Sequence, residues 1–223
     1  MMDKFVPTAA EAVADIHDGA TVLVSGFGTA GQPMELLDAL LEQGARDLTI
    51  VCNNSGSHDT GLAKLIRRDR VRKLYASFPR GAESQAFETA YAQGRIAYEC
   101  IPQGTLAERL RAAGAGIGGF LTLTGYGTEL AEGKETRVID GIGYVFEAPL
   151  RGDFALVKAH AADRWGNLVY RKAARNFGPP MCMAAKVAIV QVQTAVPLGA
   201  LDPEAIVTPG IFVQRVVELG ECT

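Results

Sequence analysis

Residues 21–54 read TVLVSGFGTAGQPMELLDALLEQGARDLTIVCNN. The apolar run ending at Val24 predicts a buried strand, and the glycines that follow it predict a tight turn. Pro33 suits the first position of a helix, and apolar residues at 34, 36, 37, 40 and 41 repeat with helical period until Gly44. A second apolar run, LTIVC, then ends in Asn53-Asn54. Two strands joined by a helix of this length form a βαβ unit, and the strands of such a unit are parallel.

The same alternation extends in both directions. Upstream, Thr8 and Glu11 form a capping box for a first helix, with Gly19 as its expected stop. Downstream come helix DTGLAKLIRRD, strand VRKLYASF, helix SQAFETAYAQG, strand RIAYECI and helix TLAERLRAAGAG. From residue 120 the texture changes. TRVIDGIGYVFEA reads as a hairpin about Asp140-Gly141, while DFALVKAH, NLVYR and KVAIVQV read as further strands, with ADRWGN as a turn between the first two. The expected architecture is a single α/β domain over residues 1–223, a mainly parallel sheet flanked by helices with a mixed C-terminal half.

Composition narrows the function. The 223 residues are 48% hydrophobic with a formal charge of −3, and the basic residues are dispersed, so neither nucleic acid nor a membrane surface is an expected partner. No apolar run is long enough for a membrane span, and MMDKFVPTAAEAV lacks the basic-then-apolar order of a signal peptide. Cys52, Cys100, Cys182 and Cys222 form no C-x-x-C pair, and three lie in apolar surroundings, as expected of buried thiols in a reducing cytosol. His17, His58 and His160 are scattered without metal-ligand spacing, so no metal site is expected.

Gly26, Gly28 and Gly31 have the G-x-G-x-x-G spacing of a dinucleotide fingerprint, yet Asn53 and Asn54 stand where that fingerprint wants a carboxylate. The glycines alone leave three readings open: close packing, NAD, or backbone N–H groups facing a different anionic or carbonyl ligand. Gln103 follows a later strand, at the same sheet edge as the two asparagines, so these amides are expected to converge on one crevice and hydrogen-bond a carboxylate or thioester oxygen. The competing reading is that they satisfy loop backbone. Arg80, after another strand, offers a fork donor for a ligand carboxylate. Arg171, Lys172, Arg175 and Asn176 suit an anion or, equally, a solvated basic face.

The blocks GFGTAGQP, ARDLTIVCNNSG, SFPRG, PQGTLAERLRAAGAGIGGF, TGYGTELAEGKETR, DRWGNLVYRKAARNF and IVTPGIFVQRVV together resemble the A (alpha) subunit of family I CoA-transferases, essentially from end to end. The resemblance implies ping-pong transfer of CoA from succinyl-CoA to a 3-oxo acid, with a CoA thioester as substrate and no permanently bound cofactor. A glutamate attacks the thioester, giving a mixed anhydride and then a glutamyl-CoA thioester. The family carries that glutamate in an S-E-N-G block on a B subunit. This sequence has no such block, and Glu218-Leu219-Gly220 lacks the neighbouring residues. A separate B chain in a hetero-oligomer is therefore the expected partner, with no catalytic nucleophile here.

By the same resemblance Ser25, Gly26, Phe27, Gly28, Thr29, Ala30 and Gly31 match a CoA-associated loop usually written G-G-F-G, with Ser25 replacing the first glycine. Asn53 and Gln103 match family positions that face the reacting acyl group and are implied to orient the substrate's oxygens; Asn54 joins them as a candidate through its place beside Asn53 at the strand end. The SFPR block is similar to the branch that takes 3-oxoadipate rather than acetoacetate, which implies that Arg80 reads a distal carboxylate. An NAD-dependent oxidoreductase and a non-catalytic acyl-CoA binding protein are the readings from other classes.

Overall fold

The chain, described by a computed structural model over residues 2–79 and 85–219, begins with the alternation that the periodicity predicts. In order come α1 (Ala9–Val13), β1 (Thr21–Val24), α2 (Met34–Gln43), β2 (Leu48–Cys52), α3 (Leu62–Arg67), β3 (Val71–Ala76), α4 (Ala86–Ala92), β4 (Ala97–Cys100) and α5 (Gln103–Gly114). After β5 (Phe120–Thr122) and the hairpin β6 (Thr136–Ile139) and β7 (Ile142–Glu147), the chain re-enters the main sheet at β8 (Gly152–Lys158). It then forms β9 (Ala161–Asp163), β10 (Leu168–Val169), α6 (Gly178–Ala184), β11 (Ala185–Val192), β12 (Thr194–Val196) and β13 (Arg215–Glu218).

Seven strands form one sheet in the order β13-β11-β8-β1-β2-β3-β4, and every pairing in it is parallel. Alternate residues along a strand face opposite sides. Val22, Val24, Ile50, Phe154 and Leu156 therefore pack with Leu36, Leu40, Leu65 and the other helical residues of α1–α4. Leu23, Val51, Ala155 and Val157 pack with Leu106, Leu110, Met181 and Cys182 of α5 and α6. Burial on both faces explains why the central strands read as continuous apolar runs.

Besides β8, β11 and β13 of the main sheet, the mixed C-terminal half forms two small sheets. One is antiparallel, β5-β7-β6, and its hairpin turns at Asp140 (φ 51°) and Gly141 (φ 79°), the pair of left-handed residues a tight hairpin needs. It is tied to α5 by Glu147, whose buried carboxylate lies 2.6 Å from Lys134 Nζ and 3.6 Å from Arg109 Nη1. The other sheet, β10-β9-β12, is antiparallel at β9/β10 and parallel at β9/β12.

Three sequence expectations shift. α1 ends at Val13 rather than running to Gly19, because carbonyls at and beyond its end are taken by side chains: Arg215 donates to Ala12 O in its last turn, and Gln43 Nε2 to Ala14 O and Ile16 O past it. Pro33 is the N-cap of α2, one residue before the helix. Cys52 and Cys182 are buried, but Cys100 is exposed because β4 is an outer strand with no neighbour on one side; Cys222 lies outside the described residues.

Two carboxylates near the edges of the fold couple it to pH. Asp15 is held below the usual carboxylate range chiefly by its hydrogen bonds from Arg215. Asp153 is held low first by Lys186 and then by the Thr21 N–H. The folded chain thus binds fewer protons than the unfolded one, so this contribution is complete above the ordinary carboxylate pKa and is lost as pH falls through the folded values. Replacing both by asparagine should flatten the loss of unfolding free energy between about pH 5 and pH 2, measured by urea titration; parallel curves for the two proteins would contradict this account.

Candidate active site

The chain moves outward from β1 through β2, β3 and β4, then returns to the other side of β1 and moves outward again through β8, β11 and β13. Strand order therefore reverses between β1 and β8, and the C-terminal ends of strands at such a reversal open into a crevice where ligands bind. The loop Ser25–Gly31 leaves β1 at that point.

Hydrogen bonds close the loop. Ser25 N donates to Leu156 O of β8 (3.0 Å), Ser25 Oγ donates to Gly31 O (2.7 Å), and the Lys158 N–H donates to Ser25 Oγ (3.2 Å). Residue 25 is not at positive φ, so serine fits, and its hydroxyl closes the loop in a way glycine cannot. Phe27 and Ala30 exchange both backbone bonds, at 2.9 and 3.2 Å, making Gly28-Thr29 the tip of a miniature hairpin. The tip is exposed, with Phe27 at 52%. Among the described residues the Gly28 and Thr29 N–H groups have no acceptor, which leaves two adjacent donors for a ligand oxygen.

Two of the glycines are required by close approach. A Cβ at Gly26 would lie 2.5 Å from Gln32 Cγ, and one at Gly31 would lie 2.5 Å from Ala174 O and 2.7 Å from Asn176 Nδ2. Both also sit at positive φ, 139° and 75°.

Five side-chain amides run from the loop across the strand ends. Asn176 Oδ1 accepts from Gly26 N (3.0 Å) and Phe177 N (2.7 Å), while its Nδ2 donates to Ala30 O (3.0 Å) and Ala173 O (2.9 Å). Gln32 Nε2 donates to Gly28 O (3.0 Å) and Asn54 Oδ1 (3.1 Å). Asn54 Oδ1 also accepts from Gly56 N at 3.2 Å. Gln103 Nε2 donates to Asn53 Oδ1 at 2.7 Å.

The sequence-predicted amides thus divide. Asn53 and Gln103 meet at the ends of β2 and β4, as expected, whereas Asn54 turns to the loop and satisfies backbone. Arg80 lies outside the described residues. Gln32 and the clamping role of Asn176 were not predicted. A glutamine between a turn glycine and a helix-starting proline was the available signal for Gln32.

Several polar atoms near this edge are buried without partners among the described residues, including Gln32 Oε1, Ser77 Oγ and Thr105 Oγ1. Such atoms cost about 1–3 kcal/mol each, and they invite a ligand explanation. The buried thiols offer no nucleophile: desolvation raises Cys52 and pushes Cys182 up to about 12. Glu218 has its Oε1 engaged by the Ala195 N–H at 2.8 Å. No group of three or more potential metal ligands occurs among the described residues.

The class follows. Residues 6–219 match the family described as Coenzyme A transferase, and the chain belongs to it. It is 61% identical over 220 residues to a Pseudomonas putida protein named as the A chain of 3-oxoadipate CoA-transferase, covering 99% of this chain and 95% of that one. Identity is 47% to a Bacillus subtilis protein named as the probable A chain of succinyl-CoA:3-ketoacid coenzyme A transferase, covering 97% and 90%. The fold is also that of glutaconate coenzyme A-transferase from Acidaminococcus fermentans, with TM-score 0.84 at 20% identity, over 97% of this chain and 76% of that one.

Asn176→Ala should leave the Gly26 and Phe177 N–H groups without their acceptor and cost about 1–3 kcal/mol of stability. Native-state hydrogen exchange should show the Gly26 amide losing protection. Unchanged protection there would remove the clamp from the account.

Proposed function

We propose that this chain is the alpha component of a two-chain CoA-transferase that moves CoA from succinyl-CoA to 3-oxoadipate, a step in aromatic catabolism by the 3-oxoadipate pathway, in the cytoplasm. The observation that carries the reading is the 61% identity, over nearly the whole of both chains, to the Pseudomonas putida protein named for that activity. Succinyl-CoA:acetoacetate transfer is the second reading, favoured by the 47% identity to the Bacillus subtilis protein.

The chemistry divides between two chains. A B subunit supplies the glutamate, carried in an S-E-N-G block, which attacks the thioester carbonyl and expels CoA thiolate to give a mixed anhydride; the thiolate then attacks the glutamyl carbonyl, releasing succinate and leaving a glutamyl-CoA thioester. The present chain supplies fixed donors. The Gly28 and Thr29 N–H groups face the CoA thioester, where prepositioned donors stabilise developing negative charge without reorganising. The Asn53–Gln103 pair orients the carboxylate or carbonyl oxygens of the acyl group. Arg80 recognises the distal carboxylate that 3-oxoadipate has and acetoacetate lacks.

Co-expression with a B subunit should give CoA transfer from succinyl-CoA to 3-oxoadipate in preference to acetoacetate, and the isolated chain should be inactive. Activity from the isolated chain would overturn the divided site, and equal use of both acids would favour the second reading. In the assembly, Arg80→Ala should raise KM for 3-oxoadipate about ten- to a hundredfold, the worth of a lost charged hydrogen bond of about 1.5–3 kcal/mol. KM for acetoacetate should not move; an equal rise for both acids would remove Arg80 from specificity.

A further inference from the structure

Beside the glycine loop lies a basic turn that the divided site leaves unused. Lys172–Arg175 form a single 3₁₀ turn following β10, and Arg171, Lys172 and Arg175 are all exposed. The turn and the loop are packed as one unit. Asn176 Nδ2 bridges Ala173 O of the turn and Ala30 O of the loop, and Ala174 O occupies the space a side chain on Gly31 would need.

Lys64, Arg67, Lys73, Arg95, Arg109, Arg111, Lys134, Arg137, Lys186 and Arg215 each lie against a carboxylate, whereas Arg46, Arg68, Arg70, Arg72, Arg151 and Lys158 form no ion pair among the described residues. Arg171, Lys172 and Arg175 form no ion pair among the described residues. Three cations without an ion pair thus fall within five residues of one exposed turn. They are also fixed, through Asn176, at the rim of the crevice. Arginine forks and a lysine point charge are the donors that phosphate oxygens select.

We propose that Arg171, Lys172 and Arg175 form a phosphate-binding subsite that takes the phosphate groups of the CoA portion of the thioester substrate. The proposal rests on the CoA-transferase reading and deepens it. The loop meets the reacting end of the thioester, and the turn anchors the remote, non-reacting end. Binding energy from remote groups of this kind helps place the reacting atoms.

The test uses the assembled two-chain enzyme with Arg171→Gln, Lys172→Gln and Arg175→Gln combined, all at exposed positions. Two donors are compared, succinyl-CoA and the succinyl thioester of pantetheine, which keeps the succinyl carboxylate and has no phosphate. The kcat/KM for succinyl-CoA should fall about tenfold or more, and its decline with added salt should flatten. The value for the pantetheine thioester and KM for the 3-oxo acid should stay as in the parent.

An equal loss with both thioesters would overturn the subsite and make the turn a support for the loop. No loss with either would make it a solvated face, and failure of the variant to co-elute with the B subunit would make it an interface contact. Calorimetry with free CoA and with pantetheine, on parent and variant, separates this proposal from the reaction itself. Phosphate-dependent binding lost in the variant, in an assembly that transfers nothing, sustains the subsite while the CoA-transferase reading fails. Equal binding of CoA by parent and variant overturns the subsite.

Discussion

The reversal of strand order between β1 and β8 governs the molecule. Right-handed crossovers that move one way along a sheet place their helices on one face, and those that move the other way place them on the opposite face. α2, α3 and α4 accordingly cover one side as the chain moves from β1 to β4, and α6 covers the other as it moves from β8 to β11. At the reversal the connections diverge and leave an opening at the strand ends. The loop after β1 fills it, held to β8 through Ser25.

An opening lined by backbone needs its polar groups paired, and here neutral amides perform that task. Asn176 reaches the loop from the far side of the reversal, Gln32 from the start of α2 and Asn54 from the end of β2. An amide carries both donors and an acceptor, so one side chain can satisfy a carbonyl and an N–H of the same irregular turn, as Asn176 does for Ala30 O and the Gly26 N–H. Hydrogen bonds within the loop and from these amides occupy most of its backbone, and the exposed tip keeps two donors spare. Glycine at 26 and 31 makes room for the bracing groups, so the glycine spacing records protein packing as much as ligand approach.

This explains what could be read from the sequence. The parallel sheet was legible because helical and strand periods alternate cleanly and because Asp140-Gly141 has a single favoured turn geometry. The meeting of Asn53 with Gln103 was legible because both end strands of a parallel sheet, and such ends lie on one edge. The short α1 was not: Arg215 and Gln43, which take carbonyls at and just past its end, are distant in sequence. Nor was the pairing of Asn176 with residues 26 and 30, since nothing local distinguishes a clamp from a surface asparagine. G-x-G-x-x-G was ambiguous for the same reason, because spacing specifies a turn and the ligand is specified by what surrounds it.

The bracing of the loop has a consequence for proton traffic. Serine, asparagine, glutamine and backbone do not titrate in the range where proteins work. The hydrogen bonds that brace the loop are therefore made by groups whose charge does not change with pH in that range.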